Sequence, residues 1–488
     1  MYRNPVLNAD WSDPDVIRVG RDFYLTASSF TKVPGLPILH SRDLVNWTVI
    51  AHALPELEGL TRPEPGCRVW APSLRHHDGR FWIFWGDPDR GVMQVNATGP
   101  RGPWSAPHLV KPGLGLIDAC PFWDEDGTAW LVHGWARSRA GINNRLTLNR
   151  MTPDATGVLD DGRVIIDGDA LPGYRTLEGP KVYKRDGAYW IFAPAGGVAE
   201  GWQSAFRAEH LAGPYEDRIV LEQGGTGVNG PHQGAWVDAP DGSHWFLHFQ
   251  DRGPFGRVVH LQPMSWGDDG WPVMGDGGEP VAGHRMPVEG QPAAEPPTGD
   301  TFQATRLGPQ WHWPVNPSPT WYRAGGGSLM LACLPGPGDL RERGPVVAQR
   351  LPAAPFTART RLTLDAAPGS RAGLVILGAT YAWLGVELTG DGPALVCRTA
   401  EPGAPERDLL PPVPLERPKA ELTVAVDEHG RCVFGDGESF QATPGRWVGA
   451  VLGLFAAGDA GWAGFQRFDV TRDSWCPPPG PCPPAGRR

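Results

Sequence analysis

Three acidic residues head similar short stretches of this chain: Asp13 in SDPDVIRVG, Asp118 in DACPFWDEDG and Glu178 in EGPKVYKRDG. Glu178 follows Leu177 and runs into an apolar strand, so it enters partly dehydrated surroundings that raise its pKa and suit it to donate a proton. Asp13 precedes Pro14, which favours an extended backbone and a fixed side-chain direction, the property a general base needs. Asp118 can keep Glu178 protonated by like-charge repulsion and hold it in place. One carboxyl that protonates a departing oxygen, and another across the ring that activates water, meet the requirement for cleaving a glycosidic bond. Plainer readings exist: Asp before Pro forms turns, Asp118 suits an Asx-turn, and Glu178 suits a solvated turn. Recurrence at matching places in one repeat favours the catalytic reading.

The repeat supplies the elements that position these groups. It consists of a polar residue, an apolar strand, a tight glycine turn and an aromatic-rich strand, and it starts near Ser12, Trp70, Asp118, Glu178 and His232. The turn glycines are Gly20, Gly79, Gly127, Gly187 and Gly242, so the steps are 59, 48, 60 and 55 residues. Each step holds about four strands, the size of a propeller blade. Counting nine residues back from the glycine gives Trp70, Asp118 and Glu178, with Asp13 seven and His232 ten before theirs. These side chains are expected to converge on the axis of a five-bladed β-propeller spanning residues 1–286. Residues 287–300, PVEGQPAAEPPTGD, have the composition of a linker. Alternating stretches over residues 301–475 predict a β-sandwich, and residues 476–488 form a proline-rich tail. The fold class is all-β.

Charge and composition narrow the partners. A net charge of −10 without any Lys/Arg run argues against nucleic acid, and no stretch approaches the length of a membrane span. The 22 tryptophans offer platforms on which neutral sugars stack. Seven scattered cysteines without metal-ligand spacing fit a reducing compartment. No apolar leader is visible at MYRNPVLNADWSDPD, so the expectation is a cytoplasmic protein.

NPVLNADWSDPDVIRVGRDFYLTAS, PGLPILHSRDLVNWTVIAHAL, WAPSLRHHDGRFWIFWG, LIDACPFWDEDG, LEGPKVYK, PHQGAWVDAPDG and GRVVHLQPMSW, in this order over residues 4–275, resemble glycoside hydrolase family 43, the β-xylosidase and α-L-arabinofuranosidase group. The resemblance implies an inverting mechanism with Asp13 as base, Asp118 as pKa modulator and Glu178 as acid, and an acid–base separation of roughly 6.5 to 9.5 Å. It further implies that His232 holds the acid or a buried cation, that Arg257 contacts the terminal sugar and the carboxylates, and that Trp70 and Phe30 wall the first sugar subsite. The plainer readings are a satisfied core histidine, a surface ion pair and core aromatics. The second domain, with WHWPVNP and GLFAAGDAGWAGFQRFDV, is similar to the sandwich appended to exo-acting members, where it lends a loop that closes one side of the funnel. The expected activity is exo release of a terminal pentose from hemicellulose oligosaccharides, with α-L-arabinofuranose leaning ahead of β-D-xylose. The alternatives are an endo-arabinanase and a non-catalytic sugar-binding propeller. No cofactor is expected, no catalytic metal is assigned, a structural calcium ion is left open, and the oligomeric state is not read from the sequence.

Overall fold

A computed structural model describes residues 1–435, 437 and 439–472. The predicted proline-rich tail, with Cys476 and Cys482, and the last residues of the predicted sandwich lie outside the described residues. Five four-stranded antiparallel sheets follow one another between Asp15 and Met274. Their innermost strands are Asp15–Val19, Trp70–His77, Leu116–Trp123, Lys181–Arg185 and His232–Asp238. The inner strand of blade 5 packs against that of blade 1, which closes the ring. The N-terminal segment reinforces this closure: Tyr2–Arg3 pairs with Gly283–His284, and Leu7 bridges to Val259 of blade 5.

Every predicted turn glycine sits at positive φ, from 65 at Gly20 to 82 at Gly127 and Gly242. Only glycine adopts this region without a Cβ clash, so each hairpin closes where the sequence places it. The alternate residues of the strands then fill five separate apolar clusters, one in each gap between neighbouring blades. Phe23, Leu25, Trp245 and Leu247, for example, fill the gap between blades 5 and 1. Blades held face to face in this way have no sliding freedom, and their inner strands are fixed about one axis.

Beyond the propeller, a seven-stranded and a six-stranded antiparallel sheet stack as a sandwich. Phe356–Ala366 shows the governing pattern: buried and exposed residues alternate along FTARTRLTLDA, and one face points into the shared core. The sandwich is joined to the propeller by shared core packing and by hydrogen bonds. Phe255 and Val258 of blade 5 belong to the sandwich core cluster. Ala450 N donates to Pro254 O at 2.7 Å, Ala353 N to Asn8 O at 3.0 Å, and Arg350 Nε to Asp10 O at 2.7 Å. Such contacts orient any sandwich loop that overhangs the funnel. Among the described residues no helix is long and apolar enough to cross a membrane.

Candidate active site

Asp13, Asp118 and Glu178 meet in one pocket of about 190 Å³ at one end of the axis, together with Phe30, Trp70 and Arg257. The backbone explains how side chains from different blades reach it. Asp13, Ala71, Asp118 and Gln233 have φ of 55, 35, 59 and 35, and Gly179 has φ 59. These are one position in the five blades, read off as DPD, APS, DAC, GPK and QGA. In blades 2, 3 and 5 the ladder slips by a β-bulge at this point, and bulges re-aim side chains in this way. Non-glycine residues at positive φ cost about 1–3 kcal/mol each and persist where the surroundings over-determine them.

Two sequence expectations are corrected here. Asp13 is not extended despite Pro14; it takes the left-handed region, which Asp tolerates better than most residues. The blade register also differs. Asp13 and Asp118 are equivalent, but Glu178 stands one residue earlier, in line with Trp70 and His232. Counting back from the turn glycine misaligns them because the hairpins differ in length. Two residues separate the paired His77 and Arg80 in blade 2, whereas five separate Trp123 and Ala129 in blade 3.

Each carboxyl has its own set of partners. Asp13 is 5% exposed; it accepts from Arg257 Nη1 at 2.9 Å and from the Ser28 hydroxyl, which itself accepts from Ala71 N. Arg257 is held by its face over Phe249, 4.7 Å from the ring centre, and by its amide on Asp10. Asp118, 3% exposed, accepts from Gly179 N at 2.8 Å. Burial pushes Asp118 well above the usual carboxylate range, and the charges of Glu178 and Asp13 add to the push. Burial, then Asp13, likewise pushes Glu178 up to about 7. Two such acids titrate as a unit and do not both ionise at low energy.

His232 does not line the pocket. Its ring is fully buried behind Glu178, with Nε2 3.0 Å from Glu178 Oε1. Burial drives His232 down to about 3, so the ring is neutral near pH 7 and the contact is a hydrogen bond rather than an ion pair. The residue of PHQG that does reach the pocket wall is Gln233, which the motif reading passed over. His232 Nδ1 has no protein partner, but a lone imidazole nitrogen does not match calcium, which takes six to eight oxygens. Among the described residues no group of three or more His, Cys, Asp or Glu could hold a metal ion.

The second residue missed is Trp447, which comes from the sandwich. It lines the pocket, sits at φ 64 and is 47% exposed. Its ring meets Trp70 edge to face at 6.2 Å, and Trp70 meets Phe30 at the same distance, so three aromatics form one wall and overhang. A tryptophan between Gly445 and Gly449 was the only local signal; its position over the funnel is a tertiary fact. The arrangement presents a pocket overhung by Trp447, a proton donor near pH 7, a carboxylate ion-paired to arginine and aromatic faces for a sugar ring.

Comparison with known proteins gives the family. Residues 2–272 match Glycosyl hydrolases family 43, and residues 299–471 match the Beta xylosidase C-terminal Concanavalin A-like domain. A putative beta-xylosidase of Xylanibacter ruminicola is 40% identical over 407 residues, 80% of this chain and 73% of that protein. A non-reducing end alpha-L-arabinofuranosidase of Bacteroides ovatus is 30% identical over 377 residues, 71% of this chain and 65% of that protein. The fold is that of the xylan beta-1,4-xylosidase from Bacillus halodurans, with a TM-score of 0.88 and 24% identity over 97% of this chain and 100% of that one.

Proposed function

This chain belongs to Glycosyl hydrolases family 43, and from that premise we propose that it removes single pentoses from the non-reducing end of hemicellulose oligosaccharides with inversion. It is an exo-acting glycosidase built as a five-bladed propeller with a β-sandwich. In the proposed mechanism Glu178 gives its proton to the glycosidic oxygen as the bond from that oxygen to the anomeric carbon breaks. Asp13 takes a proton from the water that attacks the same carbon from the other face. Arg257 keeps Asp13 oriented, and Asp118 favours the protonated form of Glu178. Trp70, Phe30 and Trp447 hold the sugar ring, and Gln233 stands at the wall behind it.

The observation that carries the reading is the meeting of buried Asp13 and Asp118 and half-buried Glu178 with Arg257 in a pocket that Trp447 overhangs. A pocket of about 190 Å³ overhung by Trp447 suits a chain end, whereas an endo-acting enzyme needs a cleft open at both sides. We favour β-D-xylose as the preferred sugar, because the 40% identical relative bears that name. Release of α-L-arabinofuranose is the second reading, supported by the name of the Bacteroides ovatus relative. Initial rates on aryl β-D-xyloside and aryl α-L-arabinofuranoside, side by side, decide the preference. The first sugar anomer detected by proton NMR decides the stereochemistry. Oligosaccharide products in place of monosaccharide would overturn exo action.

A further inference from the structure

The pocket wall holds one buried polar side chain that the hydrolytic roles do not use. Gln233 is 4% exposed and lines the pocket, and its Nε2 has no hydrogen-bond partner in the protein. The carboxyls, Arg257 and Trp70 are engaged: Asp13 with Arg257 and Ser28, Asp118 with Gly179 N, Glu178 with His232, and Trp70 Nε1 with Gly66 O. Thr176 and Trp447, which also line the pocket, are half-buried and 47% exposed, so water serves them. A buried amide left unpaired is unfavourable, and such a group in a folded protein calls for an explanation.

Two glycines place this side chain. In blade 5 the ladder slips between His232 and Gly234. A Cβ on Gly234 would fall 1.7 Å from Leu247 O, so only glycine fits the bulge that sets Gln233 at φ 35 on the pocket wall. The side chain then reaches across to blade 4. A Cβ on Gly179 would stand 2.7 Å from Gln233 Cγ and 2.8 Å from its Nε2, so the amide takes the space that a side chain at 179 would fill. Gly179 follows Glu178 directly, and its N–H is the one that Asp118 accepts. Gln233 is therefore packed on the peptide that ties the backbone of Glu178 to Asp118. A sugar hydroxyl is donor and acceptor at once and can pair with either end of a carboxamide.

We propose that Gln233 is a specificity-determining residue: its amide hydrogen-bonds one hydroxyl of the terminal pentose and so reads the hydroxyl pattern of the sugar. The proposal rests on the pocket receiving a terminal pentose. A sugar that presents this hydroxyl satisfies the amide, whereas a sugar that lacks it buries the amide unpaired, and the site discriminates against the missing group.

The test takes whichever of 4-nitrophenyl β-D-xyloside and 4-nitrophenyl α-L-arabinofuranoside the wild-type protein hydrolyses faster, together with its monodeoxy analogues. Gln233→Met keeps the length of the side chain and removes the amide. On the parent glycoside its kcat/KM is expected to fall about tenfold or more. On the analogue that lacks the hydroxyl held by the amide, wild type and variant agree within about twofold, and on the other analogues the gap persists. A gap of equal size on every analogue, or no gap on the parent, overturns the proposal. Calorimetric unfolding separates recognition from packing. The variant loses an unpaired amide and no protein hydrogen bond to its Nε2, so its Tm should equal or exceed that of wild type. Gln233→Leu repeats the measurements with a shorter side chain; if both variants unfold below wild type or fail to fold, Gln233 serves packing and the proposal falls. A wild-type protein inactive on both parent glycosides marks the failure of the pentosidase reading itself, and the proposal goes with it.

Discussion

Glu178→Gln should abolish hydrolysis of unactivated substrates and yet stabilise the protein at alkaline pH. The Glu178 carboxyl is pushed from 4.5 to about 7 in the folded state, by burial first and by Asp13 second. Its side chain is only 23% exposed, so solvent screens little of this. A gap of about 2.5 units at 1.36 kcal/mol each is roughly 3 kcal/mol. Between the two values the folded protein binds a proton that the unfolded chain has released. Stability from this group is therefore full below about pH 4.5, falls as the pH rises, and levels off above about 7. The proton is shared with Asp118, so roughly 3 kcal/mol is the ceiling for the pair and not a sum over two groups. Glutamine is isosteric and neutral throughout, so it lacks this penalty. Calorimetric unfolding of wild type and Glu178→Gln at pH 4, 6 and 8 tests the reasoning. The variant's Tm should match wild type at pH 4 and exceed it progressively to pH 8. A Tm difference that does not vary with pH, or a less stable variant at pH 8, would refute it.

Asp13→Ala is expected to lower kcat on xylobiose by orders of magnitude with little change in substrate affinity, measured by steady-state rates beside binding to the inactive protein. In Asp118→Asn the neighbouring negative charge is gone, so Glu178 loses its proton more readily; the alkaline limb of the kcat/KM profile should move to lower pH, and an unchanged limb would argue against a modulating role. Trp447→Ala removes the aromatic face that overhangs the pocket; with aromatic stacking worth about 0.5–1.5 kcal/mol, KM should rise about twofold to tenfold with the pH profile intact. Arg257→Leu leaves Asp13 buried without its cation, a loss of about 3–5 kcal/mol expected in chemical unfolding at neutral pH.

Much of this architecture was legible because it depends on local chemistry. Gly20, Gly79, Gly127, Gly187 and Gly242 each mark a hairpin, since glycine takes a positive φ at less cost than other residue types, and their spacing reports the blades. Alternation along FTARTRLTLDA reports a half-buried strand in the same way. Asp13, Asp118 and Glu178 stood out because acids recurred at the heads of apolar strands, where burial without a purpose is unfavourable.

What the sequence by itself determined, then, was the kind of fold, and it singled out the three carboxyls that meet in the pocket, because hairpin turns and strand patterning are set by neighbours in the chain. Tertiary structure decided the rest. The left-handed position that aims Asp13 and Asp118 is held by packing between blades, and neither residue announces it. Hairpins of unequal length hid the true register, so Gln233 stayed out of sight behind His232. Trp447 reaches the pocket only because the two domains are locked together; along the chain it lies 269 residues beyond Glu178. Likewise the Lys181 side chain of blade 4 donates to Ser73 and Pro72 of blade 2, a contact that only the closed ring makes. Electrostatic influence acts through space, and space is assigned by the closed ring rather than by order along the chain.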